Sequence, residues 1–241
     1  MASGVLGRAP VPAHTVRLPE ITAGRFGHGH GHYSVSATDA SMPSYTGDIT
    51  VGRTFTTLGV NAPAGAGLTV DPSTPPAAGW NGNGCTSTGN AVTASFTAPA
   101  NALLLALADT TSTGSGGSTI PAISDSGGLS WIRVAGTGTN GTKDEAVAWW
   151  ARTSSSAART VTLTLTTNTC SKFLQVVVVM NANLTTPIGA TNIGPAEDTT
   201  AGVFNQSVTS TAAGSMAFAA VADAAAAAIP TPGSGVTLQG S

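Results

Sequence analysis

TVTLTLT, residues 160–166, alternates without a break: Val161, Leu163 and Leu165 fall on one side of an extended chain, and Thr160, Thr162, Thr164 and Thr166 on the other. Successive side chains of a strand point to opposite faces, so an apolar set and a hydroxyl set at a period of two mark a half-buried β-strand. The threonine face is expected to meet solvent or a neighbour. Units of the same kind recur around it, separated by turn residues, at 91–96, 102–108, 130–135, 145–151, 172–180, 203–209 and 215–222. With 160–166 they make about eight strands. That pattern predicts an all-β chain, an antiparallel β-sandwich of jelly-roll or immunoglobulin-like type.

Two runs break the alternation. ALLLALA (102–108) and the VVVV of 176–179 are apolar at consecutive positions. A strand of this kind is covered on both faces or lies against another subunit. SMAFAAVADAAAAA (215–228) is ambiguous, because alanine favours helix. Gly214 before it and Pro230 after it fit a last strand running into a turn, and strand is the reading adopted.

Ahead of this region the chain changes character. Eight of the fourteen prolines lie at or before Pro76, in loops such as NAPAGAG and DPSTPPAAGWNGNG. Proline fixes φ and removes a ladder donor, so residues 1–88 are expected to form an extended Pro/Gly-rich N-terminal arm. TVRL near Thr15 and the alternation of 48–60 supply a small β element within it. The expected division is therefore an arm at 1–88 and a sandwich at 89–241.

Composition excludes several functions. Lys and Arg number 9 and Asp and Glu 11, only Lys143 and Lys172 are lysines, and charged residues make up 8% of the chain. No basic stripe can track phosphates, so nucleic acid is not an expected partner. There is no run of about 20 apolar residues and no apolar signal-peptide core, so neither membrane insertion nor a cleaved leader is expected. Cys85 and Cys170 are too few and too far apart for a zinc ribbon or a redox CxxC; they form one disulfide or remain two buried thiols.

Candidate chemistry is sparse. GHGHGHYSV (27–35) places His28, His30 and His32 on one side of an extended segment. At about 3.3 Å per residue the outer two are roughly 13 Å apart, whereas zinc takes imidazole nitrogens at about 2.0–2.1 Å, so a straight strand offers two ligands and not three. A pliant, glycine-alternating assembly segment without metal is the reading preferred, with an interchain ring of histidines as the alternative. GTGTNGTK (136–143) lacks the Gly-Lys-Ser/Thr order of a phosphate loop and reads as a hairpin. The acids Asp125, Asp144-Glu145 and Glu197-Asp198 give no facing pair, no G-x-S-x-G elbow occurs, and the histidines lie outside the regular region. No catalytic residue and no cofactor is expected. Adjacent strand residues face opposite sides, so one of Trp149 and Trp150 is expected in the core. The other is expected at an interface or against a sugar.

The order SFTAPANALLLALA, ISDSGGLSWIRVA, DEAVAWWAR, TVTLTLT, KFLQVVVVM and PIGAT resembles a β-sandwich module of virion accessory proteins, capsid decoration or minor tail, of tailed phages infecting actinobacteria; it also occurs in secreted bacterial proteins. The resemblance covers roughly residues 90–222 and rests on packing and turn features. It implies a turn at Asp125-Ser126-Gly127-Gly128 whose glycines supply φ > 0, and Trp131 in the core. It brings no catalytic residues. It also implies a virion structural protein, assembled in the host cytoplasm, docked by its N-terminal arm on major capsid or tail proteins. Such a protein is a homo-oligomer, a trimer being the first expectation. The alternative is a surface module that binds a host glycan through Trp149 or Trp150.

Overall fold

The computed structural model describes residues 15–17, 29–36, 44–49, 53–81, 89–111, 122–134, 138–140, 144–165, 171–193, 202–207, 214–223 and 236–240. Among the described residues there are twenty strands, numbered β1 to β20 in chain order, and no helix.

The chain is all-β and builds a sandwich around one central sheet. That sheet runs β11 (Ile132–Arg133), β13 (Asp144–Arg152), β9 (Leu103–Thr111), β16 (Ser171–Met180), β5 (Thr69–Val70). The strand β12 (Gly138–Asn140) also pairs with β13, and β6 (Ala78–Asn81) with β16. Strand β9 sits in the middle, antiparallel to both long neighbours. Leu105, for example, stands between Trp150 and Val177.

Both faces of this sheet are covered. Leu103, Leu105 and Leu107 share a core with Leu58, Val60, Met216 and Phe218. These partners come from a five-stranded sheet ordered β17 (Ile188–Ile193), β4 (Arg53–Val60), β19 (Met216–Asp223), β2 (Gly29–Ser36), β20 (Val236–Gly240). On the other face Leu104, Ala106 and Ala108 pack with Phe96, Ala98, Val161 and Leu163. Those side chains come from β10 (Ala122–Asp125), β15 (Val161–Thr164) and β7 (Ala91–Val92) in one small sheet, and from β8 (Phe96–Ala98) and β14 (Ala157–Arg159) in another. The missing alternation of ALLLALA and VVVV thus has its cause within the chain: every residue from Leu103 to Ala108 and from Val176 to Val179 is fully buried. In β15 the alternation holds, with Val161 and Leu163 buried and Thr162 and Thr164 partly open.

Residues 53–81, assigned above to the arm, are part of the sandwich. Leu58 and Val60 of β4 are fully buried in the core, and β5 and β6 complete one side of the central sheet. Prolines punctuate these strands without excluding them. Between β5 and β6, Pro72, Pro75 and Pro76 interrupt the pairing to β16, and one backbone bond and two side chains replace the lost ladder. Asp71 N–H donates to Val178 O at 2.8 Å, Val178 N–H to Thr74 Oγ1 at 3.0 Å, and Gln175 Nε2 to Pro75 O at 2.9 Å. An edge strand can carry proline because its outer N–H groups need no partner in the sheet. Farther upstream, β1 (Thr15–Arg17) pairs in parallel with β3 (Ser44–Ile49), which pairs antiparallel with β18 (Gly202–Ser207).

The ambiguous 215–228 run enters as strand β19, whose Phe218 is fully buried, because tertiary packing outweighs the helix propensity of alanine. Strand 130–135 shrinks to Ile132–Arg133, extended by a bond from Val134 N–H to Ala148 O at 2.9 Å.

Replacing Leu104 or Leu105 by alanine should each lower the unfolding free energy by about 2–5 kcal/mol in urea titration, since each removes a fully buried side chain from a different face. A strand covered on one face only would lose stability at one of the two positions. Thr162→Ala, on the outer face of β15, should stay within about 0.5 kcal/mol of the parent.

Candidate functional site

Among the polar residues of the sandwich some hold turns, and one stands in the wall of a cleft. Asp125 belongs to the first group. Its Oδ1 accepts from Leu129 N–H at 2.7 Å and Trp131 Nε1–H at 3.2 Å, and its Oδ2 from Gly127 N–H at 2.8 Å and Arg159 NH1 at 3.2 Å. The Arg159 side chain is 4% exposed and that of Asp125 0%. A carboxylate has about four lone-pair directions, and here four donors take them. This acid is a structural hub and is not placed to act as a base. Of the two glycines that the resemblance implied would supply φ > 0 in this turn, Gly128 does, at φ 73°, and Gly127 does not. At Gly127 a Cβ would stand 2.9 Å from Asp125 Oδ2 and 3.2 Å from the Arg159 guanidinium, so the ion pair itself demands glycine there. Trp131 packs against the second core cluster from its rim.

Thr153 does similar work at the other end of β13. Its hydroxyl donates to Pro99 O at 2.7 Å and accepts from Ala102 N–H at 2.8 Å, which clamps the turn leading into β9.

The cleft is the candidate site. A cavity of about 510 Å³ opens between the 76–79 segment and the 90–94 segment, with Lys172 of β16 in its wall. Lys172 alternates with Leu174, Val176 and Val178, so the pattern that buries those residues buries the lysine as well, to 3% exposure. Its Nζ donates to Gly89 O, and desolvation lowers its pKa from the ordinary 10.5. Across the sheet Lys172 pairs with Thr110, and Thr110 with Glu145, which sets the three residues abreast on three adjacent strands. The signal was present in the sequence as a lone lysine opening an apolar strand, but sequence reasoning passed over it.

The expected sites fare differently. Trp149 is 5% exposed inside the second core cluster, and Arg133 stands 6.0 Å above its ring. Trp150 is partly buried against the first cluster, beside Ile132, its cross-strand neighbour, which is 48% exposed. Of the two indoles Trp149 is thus the one in the core, and Trp150, on the opposite face of the sheet, is only partly buried. His28 lies outside the described residues; His30 and His32 lie in β2, in register with Ala222 and Ala220. Cys85, Cys170 and the Glu197-Asp198 pair also lie outside the described residues. Of the 136–143 stretch, Gly138–Asn140 form β12, which pairs antiparallel with β13, Asn140 opposite Asp144; residues 136–137 and 141–143 lie outside the described residues. Among the described residues no three His, Cys, Asp or Glu side chains cluster as metal ligands. Comparison with protein-family models, with curated proteins and with solved structures finds no match to this chain.

Two outcomes test this account. Asp125→Ala should cost about 3–5 kcal/mol in urea unfolding, because it strands a buried guanidinium, while Asp125→Ala combined with Arg159→Met should cost less than the single change. For Lys172 the lowered pKa means that the unfolded chain binds more protons than the folded one between the folded value and 10.5. Stability therefore gains from this residue as pH rises through that window. The difference in unfolding free energy between the parent and Lys172→Met should move in the parent's favour over the same range.

Proposed function

We propose that the protein is a non-enzymatic structural component of a tailed-phage virion, a capsid decoration or minor tail protein. The observation that carries this reading is the outer face of the β10-β15-β7 sheet. Cross-strand registers set Ala122 beside Thr164, Ser124 beside Thr162, and Thr162 beside Val92, so the face is uncharged and made of small side chains. Such a surface packs closely against a repeated neighbour, whereas a catalyst needs convergent polar groups. The buried polar side chains Asp125, Arg159 and Thr153 support the same reading, since each is engaged in holding a turn. The resemblance of residues 90–222 to virion sandwich modules supplies the context.

In this proposal the attachment role passes to the residues ahead of β2, because 53–81 serve the sandwich. Self-association, with a trimer as first expectation, and docking on major capsid or tail proteins complete it. The test is gold-antibody labelling of purified particles with an antibody against residues 90–222. Label over heads identifies a decoration protein and label at the tail a tail protein; particles without label overturn the proposal.

A second reading, a module binding host-surface glycan, is favoured by Trp150 alone, which is partly open beside exposed Ile132 and Arg152. Here glycan-array binding should be present in the parent and lost in Trp150→Ala. Binding that survives the substitution removes this reading.

A further inference from the structure

We propose that the outer edge of β7 is a self-pairing surface, on which β7 of a second copy of this chain lies antiparallel about a two-fold axis through Val92. The inference rests on the self-association included in the reading above and gives it a two-fold contact in place of a three-fold one. It does not depend on a virion role.

Hydrogen-bond parity defines the edge. β7 is the last strand of the β10-β15-β7 sheet, with Ala91 opposite Leu163 and Val92 opposite Thr162. One residue on, Thr93 N–H donates to Val161 O at 2.9 Å, and Thr93 Oγ1 accepts from Val161 N–H at 3.0 Å. Bonded positions alternate along an antiparallel ladder. Ala91 and Thr93 therefore turn their main-chain groups toward β15, and Asn90, Val92 and Ala94 turn theirs to the other side. Among the described residues no strand pairs with β7 there. The side chains alternate as well, Ala91 and Thr93 being buried and Asn90, Val92 and Ala94 exposed.

Space for a strand lies beside this edge, because Asn90, Val92 and Ala94 line the cavity of about 510 Å³ that separates β7 from the 76–79 segment. Lys172, the charged residue in its wall, is buried and donates to Gly89 O. The accessible polar groups of the cleft are thus mostly main-chain donors and acceptors set among small side chains. An extended chain is the ligand that such an edge takes, by adding a strand to the sheet.

The same edge selects its own copy. Sheet edges are ordinarily guarded against pairing by charge, proline or a bulge. The central sheet has such guards in Pro72, Pro75 and Pro76 on one side and Arg133 on the other, whereas Asn90-Ala91-Val92-Thr93-Ala94 has neither charge nor proline. Val92 is 48% exposed and, with Ile132, is a large apolar side chain left open among the described residues. An uncharged edge does not repel itself, and its register is self-complementary. With the axis at Val92, that residue meets Val92 of the partner subunit and Asn90 meets the partner subunit's Ala94. All three outward-turned residues then fall at bonded positions. The two three-stranded sheets become one, with the uncharged face of Ser124, Thr162 and Thr164 continuous across the axis.

The experiment is sedimentation velocity of the purified full chain between about 1 µM and about 1 mM, with thermal melting as the control for folding. Pairing along one short edge buries little surface, so a monomer–dimer equilibrium with a Kd of roughly 10–100 µM is expected. Val92→Pro removes a donor that the chain's own ladder does not use, and should leave the melting temperature near the parent's and the protein monomeric throughout. Val92→Lys, at an exposed position, is the second variant should the proline disturb folding. It sets like charges opposite each other across the axis and should weaken the dimer at least about tenfold at low salt. Ser124→Lys alters the same outer face away from the edge and should leave the dimer unchanged. A parent that stays monomeric to about 1 mM, or association that survives both Val92 variants, overturns the proposal. So does association lost equally in Ser124→Lys, which belongs to face-to-face packing. Because the measurement uses pure protein in solution, its failure is separate from a failure of particle labelling, which bears on the virion reading alone.

Discussion

Burial of strand β9 on both faces is the constraint on which the rest of the structure depends. A strand with leucine at 103, 104, 105 and 107 and alanine between them has no side to give to water, so it requires a covering layer above and another below. Full burial of each such side chain contributes about 1.5–3 kcal/mol. The two long ladders to β13 and β16 hold β9 in place. The two covering layers, the sheet containing β4 and β19 and the sheet containing β15, follow from it.

The same constraint explains the behaviour of the flanking sequence. A central sheet cannot end in open edges without inviting another chain to pair there. On the β16 side the edge is closed by β5, the proline-rich 71–77 segment and β6. Polar side chains, Thr74 and Gln175, substitute where proline cannot donate. The proline-rich 71–77 stretch, which composition assigns to an irregular arm, is therefore part of an edge cover, and proline is tolerated there because the outer side of an edge strand needs no donors.

Charged side chains drawn into so apolar a core have consequences set by their neighbours. At the Asp125 turn four donors converge on one carboxylate and the result is stability. At the end of β16 a lysine shares the face of Leu174 and Val176, and the result is a cation in the wall of a cleft. Asp125 and Lys172 are both charged and both drawn into apolar surroundings. They differ in neighbours: tightly closed by turn backbone in one case, open to a cavity in the other.

Much of the fold was legible in the residues. TVTLTLT announced a half-buried strand, and ALLLALA and VVVV announced strands with no solvent face, covered within the chain or by another subunit, because periodicity is a local property of an extended chain. The Asp125 turn was likewise visible in its glycines. What only the tertiary structure decided was which layer covers which face, that residues 53–81 join the sandwich, that Trp149 and Trp150 both turn toward core, and that Lys172 meets a cavity. These depend on contacts between residues about a hundred positions apart, such as Gln175 with Pro75 and Thr56 with Ala146. A period of two fixes the side to which a residue points; it carries no information about what stands on that side.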